Sequence, residues 1–219
     1  MKKLFVFYIL YFLFSPIGAH AQCGIENTAF KSGEILAYDL YFNWKFVWVK
    51  AGSTHFQITS TNYNGQKALR TDILFKSNKK ADAVFPMKDT LVSYTTSELV
   101  PLYFRKGAHE GKHYTVDEVW FSYPNGKTTM KQRYRSPEGV WSEQQTTSAE
   151  CVNDMLNILL IARSYDYTKY KPGQRILFKM VTGKRISEQI LIYKGKQNFK
   201  ANDGLTYRCH VLSLLNDKE

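Results

Sequence analysis

Apolar and polar residues alternate along most of this chain, which is the period of a half-buried β-strand. Leu36, Tyr38, Leu40 and Phe42 fall on one face of a first strand with Asp39 on the other, and Phe56 and Ile58 alternate with His55, Gln57 and Thr59. Asn64-Gly65 is the strongest hairpin signal, because a two-residue turn between strands needs positive φ values that Asn and Gly tolerate. Leu69, Thr71, Ile73 and Phe75 then alternate with Arg70, Asp72 and Lys76. The pattern recurs over 90–94, 102–105 and 114–123, where Tyr114, Val116, Glu118, Trp120 and Ser122 share a side. Turn chemistry at Pro124-Asn125-Gly126-Lys127 and Pro137-Glu138-Gly139 introduces strands at 128–135 and 141–146. Strands at this spacing predict a mostly-β fold, an antiparallel meander forming a roll or barrel-like sheet.

One segment has a different period. Val152, Met155, Leu156, Leu159 and Leu160 recur at helical spacing, and Ile158 and Ile161 widen the stripe, predicting one buried α-helix over about 148–165. Thr147 with Glu150 offers a capping box at its start, and Lys171-Pro172-Gly173 prevents continuation. Strands are expected again at 176–181, 186–193 and 207–215, with turns at Gly183-Lys184 and Lys194-Gly195. No repeat or linker interrupts the pattern, so residues 32–219 are expected to form a single β-rich domain behind a tail at 22–31. The last apolar stretch ends at Asp217-Lys218-Glu219; it is expected either to pair inward or to need a further C-terminal segment, since exposed edges are avoided.

The N-terminus changes the picture. Met1-Lys2-Lys3, an apolar run from Leu4 to Phe14, Pro16, Gly18 and Ala19-His20-Ala21 have the three parts of a secretory signal peptide over 1–21. An uncleaved anchor is the rival reading, although Pro16 cuts the run short of the roughly 20 residues of a spanning helix. Lipidation of Cys23 is a third, against which Gln22 stands where a small residue is wanted. Cleavage after Ala21 leaves about 200 residues, the size of one domain, in the periplasm or cell envelope. Export would also place Cys23, Cys151 and Cys209 in an oxidising compartment, where Cys151–Cys209 is the expected bridge if the tail carrying Cys23 is loose.

The formal net charge is +11 and aromatic residues make up 15 % of the chain. Outside the cytoplasm, a basic surface meets anionic lipid headgroups or acidic envelope polymers rather than nucleic acid. Trp44, Trp48, Trp120, Trp141 and the other aromatics either line a cavity for an apolar ligand or simply fill the core.

His109-Glu110-Gly111-Lys112-His113 spells the zinc-protease pattern, which works when a helix sets two histidines one turn apart beside a general base. Gly107, Gly111 and the strand-like residues after His113 oppose a helix. On a continuous strand the histidines would lie about 13 Å apart at about 3.3 Å per residue, too far for one zinc. Gly126-Lys127-Thr128 echoes a phosphate loop, but Phe121 occupies the first glycine position. Adjacent Asp117 and Glu118 point to opposite faces of a strand. No catalytic, cofactor-binding or metal-binding residue is therefore assigned, and no enzyme is expected.

Gly33-Glu34 with Tyr38, Ala51-Gly52, Asp89 to Ser93, Glu110-Gly111-Lys112, Asp117-Glu118 and a helix from Asp154-Met155-Leu156 to Arg163 together resemble an exported bacterial family catalogued as domain of unknown function 3108. The resemblance spans about residues 32–215. It implies a β-rich roll in the envelope, carries no known activity, and leaves His109 and His113 incidental. It also implies a further strand pair at the C-terminal end. The leading expectation is a non-enzymatic domain that binds an apolar or amphiphilic envelope component or assists its assembly. A scaffolding protein with a filled core comes next, and a zinc hydrolase at the HEGKH string last.

Overall fold

The computed structural model describes residues 23–44 and 47–215. The signal-peptide reading of 1–21 lies outside the described residues. Eight strands follow one another as an antiparallel meander in which each pairs with its neighbour in sequence. They are β1 (Ile35–Trp44), β2 (Val47–Tyr63), β3 (Gln66–Ser77), β4 (Met87–Thr95), β5 (Pro101–Glu110), β6 (His113–Ser122), β7 (Thr128–Arg135) and β8 (Trp141–Ser148). A four-residue helix, α1 (Lys79–Asp82), lies between β3 and β4 and is capped by the Asn78 side chain. As the Asn-Gly signal predicts, Asn64 and Gly65 both adopt positive φ, and Tyr63 pairs with Gln66 across them. The sheet does not close: β1 and β8 are its two ends.

After β8 the chain forms a short β9 (Val152–Asn153), the helix α2 (Met155–Ser164) and three strands, β10 (Arg175–Thr182), β11 (Arg185–Lys200) and β12 (Thr206–Leu215). These make a second sheet in the order β12-β11-β10-β9, with β9 parallel to β10. The last apolar stretch thus pairs inward, against β11. Lys194-Gly195 is not a turn. Gly195, at φ +92°, sits at a bulge inside β11, so one long strand replaces the shorter one expected over 186–193.

The helix starts later than the capping-box reading places it, because Thr147 still belongs to β8 and Val152–Asn153 pairs with β10. Asp154 caps it instead, its carboxylate accepting from the backbone N–H groups of Leu156 and Asn157. Leu156, Ile158, Leu160, Ile161 and Ala162 are buried, as a helix between two sheets requires. Two apolar clusters fill the space around it. Leu91, Phe104, Val119, Phe121 and Met130 of the meander meet Val152, Leu156 and Val181 in one. Phe30, Phe56, Ile58 and Leu99 meet Ile158, Leu160, Ile161 and Leu191 in the other.

The N-terminal segment is not a loose tail, and this overturns the expected cysteine pairing. Ile25 N–H donates to the Glu98 carbonyl, Thr28 Oγ1 to the Ser164 carbonyl, and Phe30 is buried in the core. These contacts bring Cys23 beside Cys151, with Cα atoms 5.3 Å apart, and the disulfide is Cys23–Cys151. Cys209 is the free thiol. The bridge uses the sulfur that a lipid thioether on Cys23 would need.

Candidate functional site

Between the first strands of the meander, helix α2 and β12 the sheets leave a cleft of about 590 Å³. Leu36 and Tyr38 of β1, Phe56 of β2, and Ile73 and Phe75 of β3 form one wall. All point to the inner side of the sheet, because Leu36 pairs with Phe56 and Phe56 with Ile73 in register. Leu159 and Ala162 of α2 form a second wall, and Leu212 of β12 a third. Leu159 belongs to the helix's apolar stripe yet is 46 % exposed. Its side chain faces the cleft rather than packed protein. The volume lies inside the range of about 300–1,000 Å³ that small-molecule sites occupy.

Polar groups collect at the edge. Arg163, in the last turn of α2, donates to both Glu34 carboxylate oxygens at 2.6 and 3.0 Å. Its guanidinium lies 5.3 Å from the Phe30 ring centre and 5.9 Å from that of Phe56. Tyr167 stacks on His210 with ring centres 4.4 Å apart, and His210 Nδ1 is 2.9 Å from the Tyr193 hydroxyl. Loss of solvent, followed by the Lys196 charge, holds the His210 imidazole below its ordinary range. Burial pushes the Tyr167 hydroxyl up to about 12, so both groups are neutral near pH 7. Cys209 and His210 both border the cleft, but consecutive residues of a strand point to opposite sides and His210 Nδ1 already meets Tyr193. The arrangement offers an apolar chamber with one ion pair and a few hydrogen-bonding groups at its edge.

The HEGKH string forms a tight hairpin. His109 and Glu110 end β5, Gly111-Lys112 make the turn, and His113 opens β6. The separation of about 13 Å expected of a continuous strand therefore does not apply, and a better reason replaces it. Glu110 pairs with His113 and His109 with Tyr114, so the two histidines lie on opposite faces of the ribbon and cannot share one ion. Glu118 faces outward, accepting from the Tyr103 hydroxyl at 2.9 Å beside Arg105 and Arg133, whereas Asp117 faces inward, as consecutive strand residues must.

None of the tryptophans whose side chains are described lines the cleft. Trp120 packs on Tyr103 in an outer-face row with Tyr63 and Tyr94. Trp141 lies beneath the Arg133 guanidinium, and Trp48 is exposed on the β1–β2 hairpin. The Trp44 side chain lies outside the described residues. The aromatic walls come instead from Tyr38, Phe56, Phe75 and Tyr167.

A family model described as protein of unknown function (DUF3108) matches residues 37–219. The chain belongs to that family. No curated protein and no solved structure matches it. The DUF3108 resemblance read from short motifs now has physical content. Gly33 turns at φ +95° so that its N–H donates to the Ile58 carbonyl, which places Glu34 against Arg163. At Gly52 a Cβ would stand 2.2 Å from the Lys76 carbonyl oxygen, so no larger residue fits. Asp89 accepts from His109 N–H and Asp154 caps the helix. These DUF3108 motif residues brace the walls of the cleft rather than line it, apart from Tyr38 and Arg163.

Proposed function

We propose that this DUF3108 protein is a non-enzymatic, exported domain that holds an apolar or amphiphilic component of the cell envelope in the cleft between its sheets. The observation that carries this reading is the cleft itself: a chamber of about 590 Å³ with three apolar walls. A filled scaffold would place packed side chains there. Its polar edge suits the head of an amphiphile whose tail lies inward, because buried apolar surface contributes about 25 cal/mol per Å² and a headgroup must keep its hydrogen bonds. Export is supported by the three-part N-terminal signal and by the Cys23–Cys151 bridge, a bond that persists in oxidising compartments. A non-enzymatic role is supported by the separation of His109 from His113 and by the divergence of Cys209 and His210 along β12.

The test uses dansyl-labelled undecanoic acid as the probe. Its emission should rise on saturable binding to the purified protein, and Leu159→Asp, which places a charge on the cleft wall at an already exposed position, should weaken binding at least about tenfold. Absence of saturable binding, or binding that Leu159→Asp leaves unchanged, would sink the proposal and favour the scaffolding role.

A further inference from the structure

We infer that the far end of the β1–β2 hairpin is a membrane-seating element that enters the interfacial layer of an anionic bilayer. Beyond the bulge at Leu40/Tyr41 the described residues of both strands are exposed. There Tyr41, Phe42, Val47, Trp48 and Val49 are 50, 57, 61, 67 and 49 % exposed. Register assigns these residues to sides. Phe42 pairs with Val49, and Val47 lies two residues from Val49, so these three share one face. Tyr41 and Trp48 lie on the other.

Docking against a protein surface covers one face of a ribbon and leaves the other wet. This ribbon exposes apolar or aromatic side chains on both faces, with Asn43 and Lys50 beside Trp48 and Tyr41 on the second, and it removes that area from water on both sides only by entering an interfacial layer. The polar residues agree with a shallow seat. Lys50 pairs with Asp39 at the base, 2.7 Å apart. Trp and Tyr with flanking Lys is the composition that settles at the headgroup level, where lysine stems lie along apolar surface and their ammonium groups meet phosphates. A net charge of +11 favours anionic lipid. The long β11–β12 hairpin repeats the composition, with exposed Phe199 and Tyr207 among exposed Lys196, Lys200 and Arg208. The inference rests on the hairpin's own exposure and holds whether or not the cleft takes a ligand. If it does, Leu36, Tyr38 and Phe42 lie on one side of β1 and continue the cleft wall towards the bilayer.

The apolar N-terminal stretch could itself hold the full chain on a vesicle, so the test reads the hairpin by position. The full chain is mixed with phosphatidylcholine–phosphatidylglycerol vesicles carrying bromine on the acyl chains, and quenching of tryptophan emission is measured. Trp48 should be quenched, and Trp48→Ser should remove that component. The double variant Val47→Asp/Val49→Asp keeps Trp48 as reporter at exposed, fold-tolerant positions. It should abolish the quenching and shift the hairpin's partitioning by about tenfold or more. Pure phosphatidylcholine should quench less than the anionic mixture. Quenching that is absent in both lipids, or unchanged in the double variant, overturns the inference. So does a dimer that the double variant dissociates without any quenching in the native chain, which would assign the hairpin to a second copy.

Discussion

Asp154 does the most structural work for its size. It is fully buried, caps α2 through Leu156 and Asn157, and accepts a hydrogen bond from Ser93 Oγ at 2.8 Å. Burial pushes its carboxyl up to about 6, and the hydrogen bonds from Asn157, Ser93 and Leu156 oppose but do not cancel that rise. The folded protein therefore holds the proton to higher pH than the unfolded chain, which titrates near 3.8. This contribution to stability is complete below the lower value and is lost as pH rises through about 6, by about 3 kcal/mol in all. Asp154→Asn should remove that loss, so urea denaturation should show the variant gaining on the native protein between about pH 4 and pH 7. Asp154→Ala should cost about 1–2 kcal/mol or more below about pH 4, where the titration loss has not begun, since two helix N–H groups and Ser93 lose their partner. Gly52→Ala should destabilise by roughly 2 kcal/mol or more, because its Cβ meets a strand carbonyl that can move only by disturbing the β2–β3 ladder. Both Asp154 and Gly52 belong to motifs that are visible in the sequence. What neither motif discloses is the partner: Ser93 lies 61 residues from Asp154, and Lys76 lies on the next strand.

Among the elements, the strands are the most legible, because period-two alternation and turn residues are local properties. The Asn64-Gly65 hairpin follows from them, whereas the inward pairing of β12, one of two expected outcomes, is decided by β11. The helix is legible as a stripe but not in its boundaries, since β9 claims Val152 and Asn153 through a parallel partner more than 25 residues away. Leu159 shows the same limit from the other side. Helical spacing places it on the apolar stripe, and only the gap between β1 and β12 leaves it facing a cleft. Arg163 and Glu34 fasten this helix to the start of the meander, and their side chains are partly exposed, at 31 and 23 %. A double-mutant cycle of Arg163→Ala with Glu34→Ala should return a coupling of about 1 kcal/mol, the scale of a bidentate pair with partial solvent access.

At the scale of the molecule, the Cys23–Cys151 bridge closes a span of 128 residues and ties the N-terminal segment to the entry of α2. Closing so long a loop restricts the unfolded chain strongly, so reduction or Cys23→Ser with Cys151→Ser should cost about 2–5 kcal/mol in chemical denaturation. Cys209→Ser should have no such effect. The sequence by itself determined the mostly-β architecture, the single core helix, most of the turns though not Lys194-Gly195, and the DUF3108 membership, because each is written in periodicity, in turn chemistry or in short motifs. Tertiary structure alone decided which cysteines pair, that His109 and His113 face apart, and that an unclosed meander and a second sheet leave a chamber between them. The physical reason is range. Alternation and turn preference act between neighbours, whereas a disulfide, a cavity or an exposed hairpin tip depends on where segments that are distant in sequence come to rest.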